Sequence, residues 1–195
     1  TNKYPTLNAD WNELASETYK NELSIPDPTK SGACKDFVAG FVTAFTDGNS
    51  ILQSLADNGM INGGGNKPAL AAVKQGSKNI LVGGVDYNAY SDIAKGEKIG
   101  FYYPKSGTVI NPRPAMILKT APHVDNAKAF IDYLLSDEAQ KFVADAYLLP
   151  GRKDITTDKR TNVKDIPTMT TNWTDMMAVA DKTAKDVVDM CKGNK

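Results

Sequence analysis

Leu23-Ser24-Ile25-Pro26-Asp27-Pro28-Thr29-Lys30-Ser31-Gly32-Ala33-Cys34-Lys35-Asp36-Phe37-Val38 decides the fold. Leu23–Ile25 has the character of a short strand. Pro26 and Pro28 stop it, because proline lacks a ladder donor and biases its predecessor to extended backbone. Ser31 and Gly32 then open a helix. Its apolar residues Phe37, Val38, Phe41, Val42 and Phe45 recur at helical spacing, and Gly48 stands where a C-cap belongs.

Working outward, Trp11–Tyr19 reads as a short helix and Ser50–Asn58 as a second helix after Gly48. Gly63–Gly65 is a sharp break. Asn66 then caps a helix with Pro68 in its first turn, and Gly76 ends it. Asn79–Val85 is an apolar run of strand length, of the kind buried on both faces. Asp86 opens a helix to about Lys95. Strands are predicted at Ile99–Tyr103, Thr108–Ile110 and Ala115–Leu118, the last two divided by a proline-rich kink. Asp125 caps a helix with Ala127, Phe130, Ile131, Leu134 and Leu135 on one face. Ser136 caps the next, with Asp137 and Glu138 near its positive end and Ala139, Phe142, Val143 and Ala146 facing inward. Leu149–Asp165 is polar and irregular. A last helix carries a stripe of Trp173, Met177, Ala180, Ala184, Val187 and Cys191. Strands alternating with helices make an α/β fold on a mostly parallel sheet flanked by helices.

The 195 residues, 41% hydrophobic, suffice for one ordinary domain or two small ones. Lys and Arg total 23, as do Asp and Glu. A protein that held nucleic acid through its phosphates would show a basic excess, so nucleic acid is not an expected partner. No apolar run approaches the roughly 20 residues of a membrane span. Thr1 opens directly on polar sequence, so either a leader has been removed or the chain is a piece of something longer. Cys34 and Cys191 fit no metal-site spacing; they are either one long-range disulfide or two buried thiols.

In parallel α/β sheets, ligands gather outside the carboxyl ends of strands, at helix N-termini. Three loops qualify. In the first, Asp27–Ala33, the backbone N–H groups and the Ser31 hydroxyl suit an anion or an oxygen-rich group, and Gly32 lets a ligand approach closely. Ser31 also caps its own helix on this reading, and the two roles are compatible. In the second, Asn62–Asn66, three glycines either cradle a phosphate or form a plain surface turn; no Gly-Lys-Ser or Gly-Lys-Thr follows, so it is not a P-loop. In the third, Gly84–Tyr87, Asp86 either accepts from ligand hydroxyls and amines or caps its helix, and Tyr87 stacks or donates. The candidate ligand-binding residues are therefore Ser31, Gly32, Ala33, Gly65, Asn66, Asp86 and Tyr87.

No catalytic set emerges. The single histidine, His123, reads as a surface or hinge residue, and no serine has the surroundings of a nucleophile elbow. Tyr102-Tyr103 suggests a phenolate pair for a metal, but adjacent strand residues point to opposite faces. The expectation is a binder with no enzymatic activity and no cofactor. A hydrolase or transferase on an α/β scaffold is the alternative from another class.

Several runs resemble a known family. They are Trp11-Asn12-Glu13-Leu14 with Tyr19-Lys20; Ile25 to Gly32; Tyr87 to Lys98; Tyr103-Pro104-Lys105-Ser106-Gly107-Thr108; and Ala121-Pro122-His123. The most specific is Asn126-Ala127-Lys128-Ala129-Phe130-Ile131-Asp132-Tyr133-Leu134-Leu135-Ser136-Asp137-Glu138-Ala139-Gln140. Together they are similar to type 2 periplasmic solute-binding proteins of ABC transporters, in the branch of ferric, sugar-phosphate and phosphonate binders. The resemblance implies two α/β lobes closing on a ligand in an interlobe cleft, a location that is periplasmic or extracellular (lipoprotein-anchored in some full-length forms), and delivery to a membrane permease. It also implies that most of the N-terminal lobe is absent. Residues 1–107 and 151–195 would form the ligand-binding second lobe, and 108–150 would belong to the first, exposing surface that favours self-association. Ferric binders of the family carry adjacent tyrosines where this chain has Asp86-Tyr87. That favours a small anionic solute such as a sugar phosphate or phosphonate, with a ferric ion held by Asp86 and Tyr87 as the alternative.

Overall fold

Leu23–Ile25 forms the central strand, β1, in the computed structural model, which describes residues 3–194. All three of its residues are buried. β2 (Ile61–Asn62) and β3 (Ile80–Leu81) flank it in the order β2-β1-β3, both parallel to it. The register sets Ser24 opposite Ile61 and Leu81, and Ile25 opposite Asn62. The parallel sheet is as expected; β2 is not, since two residues ahead of a glycine run carry no periodicity.

α1 (Gly32–Ala44) is capped by the Ser31 side chain, which accepts from the Cys34 N–H. It buries Phe37, Val38 and Phe41 against Leu23 and Ile25 in one core. Trp11 packs on Phe37 at 5.2 Å and edge-on to Phe41 at 5.7 Å, and its Nε1 donates to Gly107 O at 2.9 Å. α2 (Gly48–Asp57) follows. Gly48 is thus the first residue of α2 and not the cap of α1. A Cβ there would lie 2.8 Å from Phe41 O and 2.9 Å from Val42 Cα, so it is the close approach of the two helices that requires glycine.

α3 (Asn66–Lys74) covers the opposite face of the sheet. Side chains alternate along a strand, so Ser24 points away from Leu23 and Ile25 and lies under α3, beside Gly63 and Ala69. α4 is Asp86–Ala94 and α5 is Val124–Leu134. α6 is Asp137–Asp145, capped by Ser136 as expected, and α7 is Trp173–Met190, capped by Asn172.

Several expectations are corrected. Trp11–Tyr19 is two 3₁₀ turns, Glu13–Ala15 and Glu17–Tyr19, broken by extended backbone at Ser16. Only Ile80–Leu81 of the run 79–85 joins the ladder, because Gly83, at φ +62°, turns the chain away. Ile99–Tyr103 and Ala115–Leu118 pair with nothing in a ladder among the described residues, and Thr108–Ile110 makes only an isolated bridge from Thr108 to Thr168. His123, not Asp125, holds the cap position of α5. The buried stripe of α7 begins at Met176 and runs through Ala180, Ala184 and Val187, leaving Trp173 and Met177 exposed.

The chain divides into two units, Thr1–Asn111 with Pro167–Lys195, and Pro112–Ile166. The family resemblance implied boundaries at 108 and 150. Thr108 stays with the larger unit because its N–H donates to Pro167 O and its O accepts from Met169 N. Residues 151–166 join the smaller one through Gln140, whose buried amide accepts from Gly151 N at 2.6 Å and donates to Leu134 O at 2.7 Å. α5 in that unit buries none of its residues, and Phe130 and Phe142 are each 59% exposed.

Candidate functional site

Three loops leave the carboxyl ends of the three strands, each running into a helix: 26–31 into α1, 63–65 into α3, and 82–85 into α4. Neighbouring strands of a sheet stand about 4.8 Å apart, so these helix starts converge on one edge. α1 and α3 follow adjacent strands yet cover opposite faces. Ligands of parallel α/β sheets settle in the crevice outside the carboxyl ends of the strands, where these three loops lie.

Ser31 and Asn66 meet between the first turns of α1 and α3. The Ser31 hydroxyl donates to Asn66 Oδ1 at 2.8 Å and accepts from Cys34 N at 3.1 Å. Ser31 therefore caps its helix and bridges two loops at once. Asn66 is not the cap of α3; Gly65 holds that position, and Asn66 is the first helical residue with its amide turned to Ser31. Gly32 is exposed, with no heavy atom within 4 Å of a Cβ built on it. Packing does not demand glycine there. Ala33 is half-buried in the first turn of α1. Gly63 is different: a Cβ there would fall 2.6 Å from Ser24 Oγ and 2.8 Å from Ala69 Cβ.

Sequence reasoning passed over Asp27 and Asn62. Asp27 is buried, and its Oδ1 accepts from Thr29 N at 2.9 Å and Thr29 Oγ1 at 2.5 Å. Lys30 Nζ lies 3.3 Å from Oδ2. The Asp27 backbone N–H donates to Gly64 O at 2.6 Å, which stitches the first loop to the second. Asn62 Oδ1 accepts from Gly64 N at 2.9 Å and so shapes the glycine loop. Burial pushes the Asp27 carboxyl up, but donation from Thr29, Asn62 and Lys30 outweighs it and holds the group below the ordinary carboxylate range. The available signal was an Asp just past a strand with Thr two residues on, the pattern of a side-chain-closed turn.

Asp86 is the first residue of α4, while Val85 holds the cap position with no side-chain bond. Asp86 therefore does not cap; its charge sits in the first turn, where the helix dipole favours it. Tyr103 Oη donates to Asp86 Oδ2 at 2.8 Å. Burial and then this bond push the Tyr103 phenol well above its ordinary range, so it is a neutral donor. Tyr102 diverges from its neighbour, donating to Ala9 O at 2.8 Å. Tyr87 is half-buried beside Asp86. His123 is exposed in the smaller unit. Cys34 and Cys191 are free buried thiols. The Cys34 thiol donates to Pro26 O at 3.0 Å, and burial pushes Cys191 up to about 11. A surface cavity of about 230 Å³ lined by Asn12, Ala15, Asp47, Ser50, Ile51 and Ser54 shares no residue with the three loops.

Residues 2–179 match the family described as bacterial extracellular solute-binding protein. The chain belongs to this family. Among the proteins it resembles is the phosphoglycerate transport regulatory protein PgtC of Salmonella typhimurium, 27% identical over 142 residues, which are 71% of this chain and 34% of that protein. Two solved structures share the fold. The periplasmic binding protein AfuA of Actinobacillus pleuropneumoniae, with exogenous fructose-6-phosphate bound, has a TM-score of 0.72 at 20% identity over 94% of this chain and 59% of its own. Iron-bound HitA of Pseudomonas aeruginosa has a TM-score of 0.71 at 19% identity over 93% and 62%. The chain thus spans about a third of the curated relative and three fifths of the structures. Its fold is that of the type 2 periplasmic binding proteins, and no helix among its described residues is long and apolar enough to cross a membrane.

Proposed function

We propose that this chain is part of the substrate-binding component of an ABC importer. It would bind a small anionic solute, a sugar phosphate or phosphonate, and hand it to a membrane permease. The observation that carries this is the Ser31–Asn66 bridge, which sets two helix starts together at the carboxyl ends of adjacent strands. Helix starts present free N–H groups and a positive dipole end, and both suit an oxyanion. The exposed Gly32 and the Gly65 turn leave room for a ligand's oxygens to reach that backbone. Ser31, Gly32, Ala33, Gly65 and Asn66 would hold the anion, and Asp86 and Tyr87 the remainder of the solute. AfuA, solved with fructose-6-phosphate, supports the class.

A ferric ion is the second reading. Asp86 and Tyr87 supply hard oxygen donors just after β3, Tyr103 Oη reaches Asp86 Oδ2, and HitA is iron-bound. Calorimetry on the longest form of the protein the gene encodes decides between them. The first reading expects heat on titrating fructose-6-phosphate, abolished by Ser31→Ala with Asn66→Ala. Absence of that heat, with a visible phenolate-to-iron band on adding Fe³⁺, would overturn it in favour of the second.

In this reading the larger unit belongs to the second lobe and the smaller to the first. The exposed apolar residues of the smaller unit support self-association of the 195-residue chain on its own.

A further inference from the structure

Helices α4 to α7 each place an acidic residue in the first turn, where the positive end of the helix dipole favours it: Asp86, Asp125, Asp137 with Glu138, and Asp175. α2 has Asp47 at its cap position. α1 and α3, whose starts meet at the Ser31–Asn66 bridge, have no acidic residue in the first turn. Lysines stand beside the bridge instead. Lys30 immediately precedes Ser31, and Lys67 immediately follows Asn66.

Lys67 is the second residue of α3, where the dipole disfavours a cation. It is exposed and makes no ion pair or hydrogen bond with the described residues. Beneath the same helix start, the fully buried Ser24 Oγ lies against Gly63 and Ala69 with no hydrogen-bond partner among the described residues. The start of α3 is therefore short of negative partners and holds an unmet hydroxyl.

The other charges near the bridge are accounted for. Lys30 Nζ lies 3.3 Å from Asp27 Oδ2, so the buried, ionised Asp27 does not present a bare negative charge there. Lys35 is paired with Asp181 of α7. Asp86 follows β3, on the far side of β1 from β2 and α3. Lys67 stands one Cα step, about 3.8 Å, from Asn66. That is well inside the roughly 8 Å over which a charge acts at physiological salt, so its field reaches an anion at the bridge without direct contact.

Building on the anion-binding reading above, we infer that Lys67 is the residue whose charge draws the anion to the Ser31–Asn66 bridge, that Lys30 cancels the Asp27 charge which would oppose it, and that the two together favour ligands whose anchored group is doubly charged. Coulomb attraction is proportional to ligand charge. A phosphate monoester, at about −1.5 to −2 near neutral pH, gains more from this field than a singly charged group of the same shape.

The experiment is calorimetry on the longest encoded form, with fructose-6-phosphate and the 6-sulfate ester of the same sugar as probes. It is run at about 0.1 M and about 1 M ionic strength, where charges act over roughly 10 Å and 3 Å. Lys67→Gln lowers fructose-6-phosphate affinity by about three- to tenfold at the lower ionic strength and by less than about twofold at the higher. Its effect on the sulfate ester is about half as large on a logarithmic scale, because that group carries about half the charge. Lys74→Gln removes the same charge from the other end of α3, about 10 Å away, and changes affinity by less than about twofold. Lys30→Gln weakens binding, and Lys30→Gln with Asp27→Asn recovers it to within about twofold, because the uncovered charge is gone. Urea unfolding confirms that each variant is folded. A Lys67→Gln loss that is the same at both ionic strengths, the same for both esters, or smaller than about twofold at 0.1 M overturns the inference, as does failure of the double variant to recover. If the unaltered protein gives no heat with either ester, the anion-binding reading itself has failed and this inference with it.

Discussion

Ser31 donates its hydroxyl to Asn66 Oδ1 at 2.8 Å, joining the first turns of two helices that lie on opposite faces of the sheet. The same oxygen accepts from Cys34 N. One atom thus serves helix α1 and the crevice together. Ser31→Ala removes both bonds and is expected to lower stability by about 1–2 kcal/mol. Ser31→Thr keeps the oxygen and should recover most of that. Urea unfolding checks it, as a shifted midpoint at unchanged slope.

Ser24 and Gly63 form a second testable pair. Ser24 Oγ is fully buried and has no hydrogen-bond partner among the described residues. Ser24→Ala is therefore expected to be neutral or to stabilise by up to about 1 kcal/mol, since an unmet hydroxyl is removed. Gly63→Ala forces a methyl against that hydroxyl and against Ala69, at a cost of about 1–3 kcal/mol. The double variant should recover part of the loss, because Ser24 Oγ is the nearest obstacle. Additive losses in thermal unfolding would contradict this packing.

Asp27 links stability to pH. Its carboxyl is depressed in the folded state, so the stabilisation it confers is present above the unfolded value, near pH 4, and fades as pH falls through the folded one. Asp27→Asn should then cost about 2 kcal/mol at neutral pH and progressively less in acid. Denaturation of both forms between pH 7 and pH 2 tests the sign. A difference that widened in acid would show the carboxyl to be raised instead.

Gln140 holds the smaller unit together. Its side chain accepts from Gly151 and Arg152 N–H groups and donates to Leu134 O. Gln140→Ala strands these groups and should cost about 1–3 kcal/mol. Limited proteolysis is the sharper readout: cleavage between Tyr147 and Thr161 should quicken, with the larger unit unaffected.

The exposed aromatics of that unit predict behaviour in solution. Sedimentation velocity of the 195-residue chain should show concentration-dependent association, reduced by Phe130→Asp with Phe142→Lys. A monomer at all concentrations would count against self-association.

Much of this was readable from the residues alone. Helices α1, α6 and α7 announced themselves through strong periodicity and the caps Ser31 and Ser136. The three strand-end loops followed from the alternation of strand and helix. What escaped detection depends on partners far away in the chain. β2 is too short to have a pattern, and Ile99–Tyr103 and Ala115–Leu118 have strand composition without a ladder to join. The Asn66 amide was read as a local cap because its true partner lies 35 residues upstream. Tyr103 was weighed as a metal ligand or a packing residue, and its bond to Asp86 could not be read from spacing.

The ladder itself has a consequence. β1 pairs with only two residues of each neighbour, and the loop contacts from Asp27 to Gly64 and from Gly63 to Ile25 continue directly from it. The sheet and its loops therefore open as one cooperative unit. Solute capture at the loops should then slow deuterium uptake at the amides of β1 and of its two neighbours, so that the sheet interior reports, over minutes to hours, whether the crevice is filled.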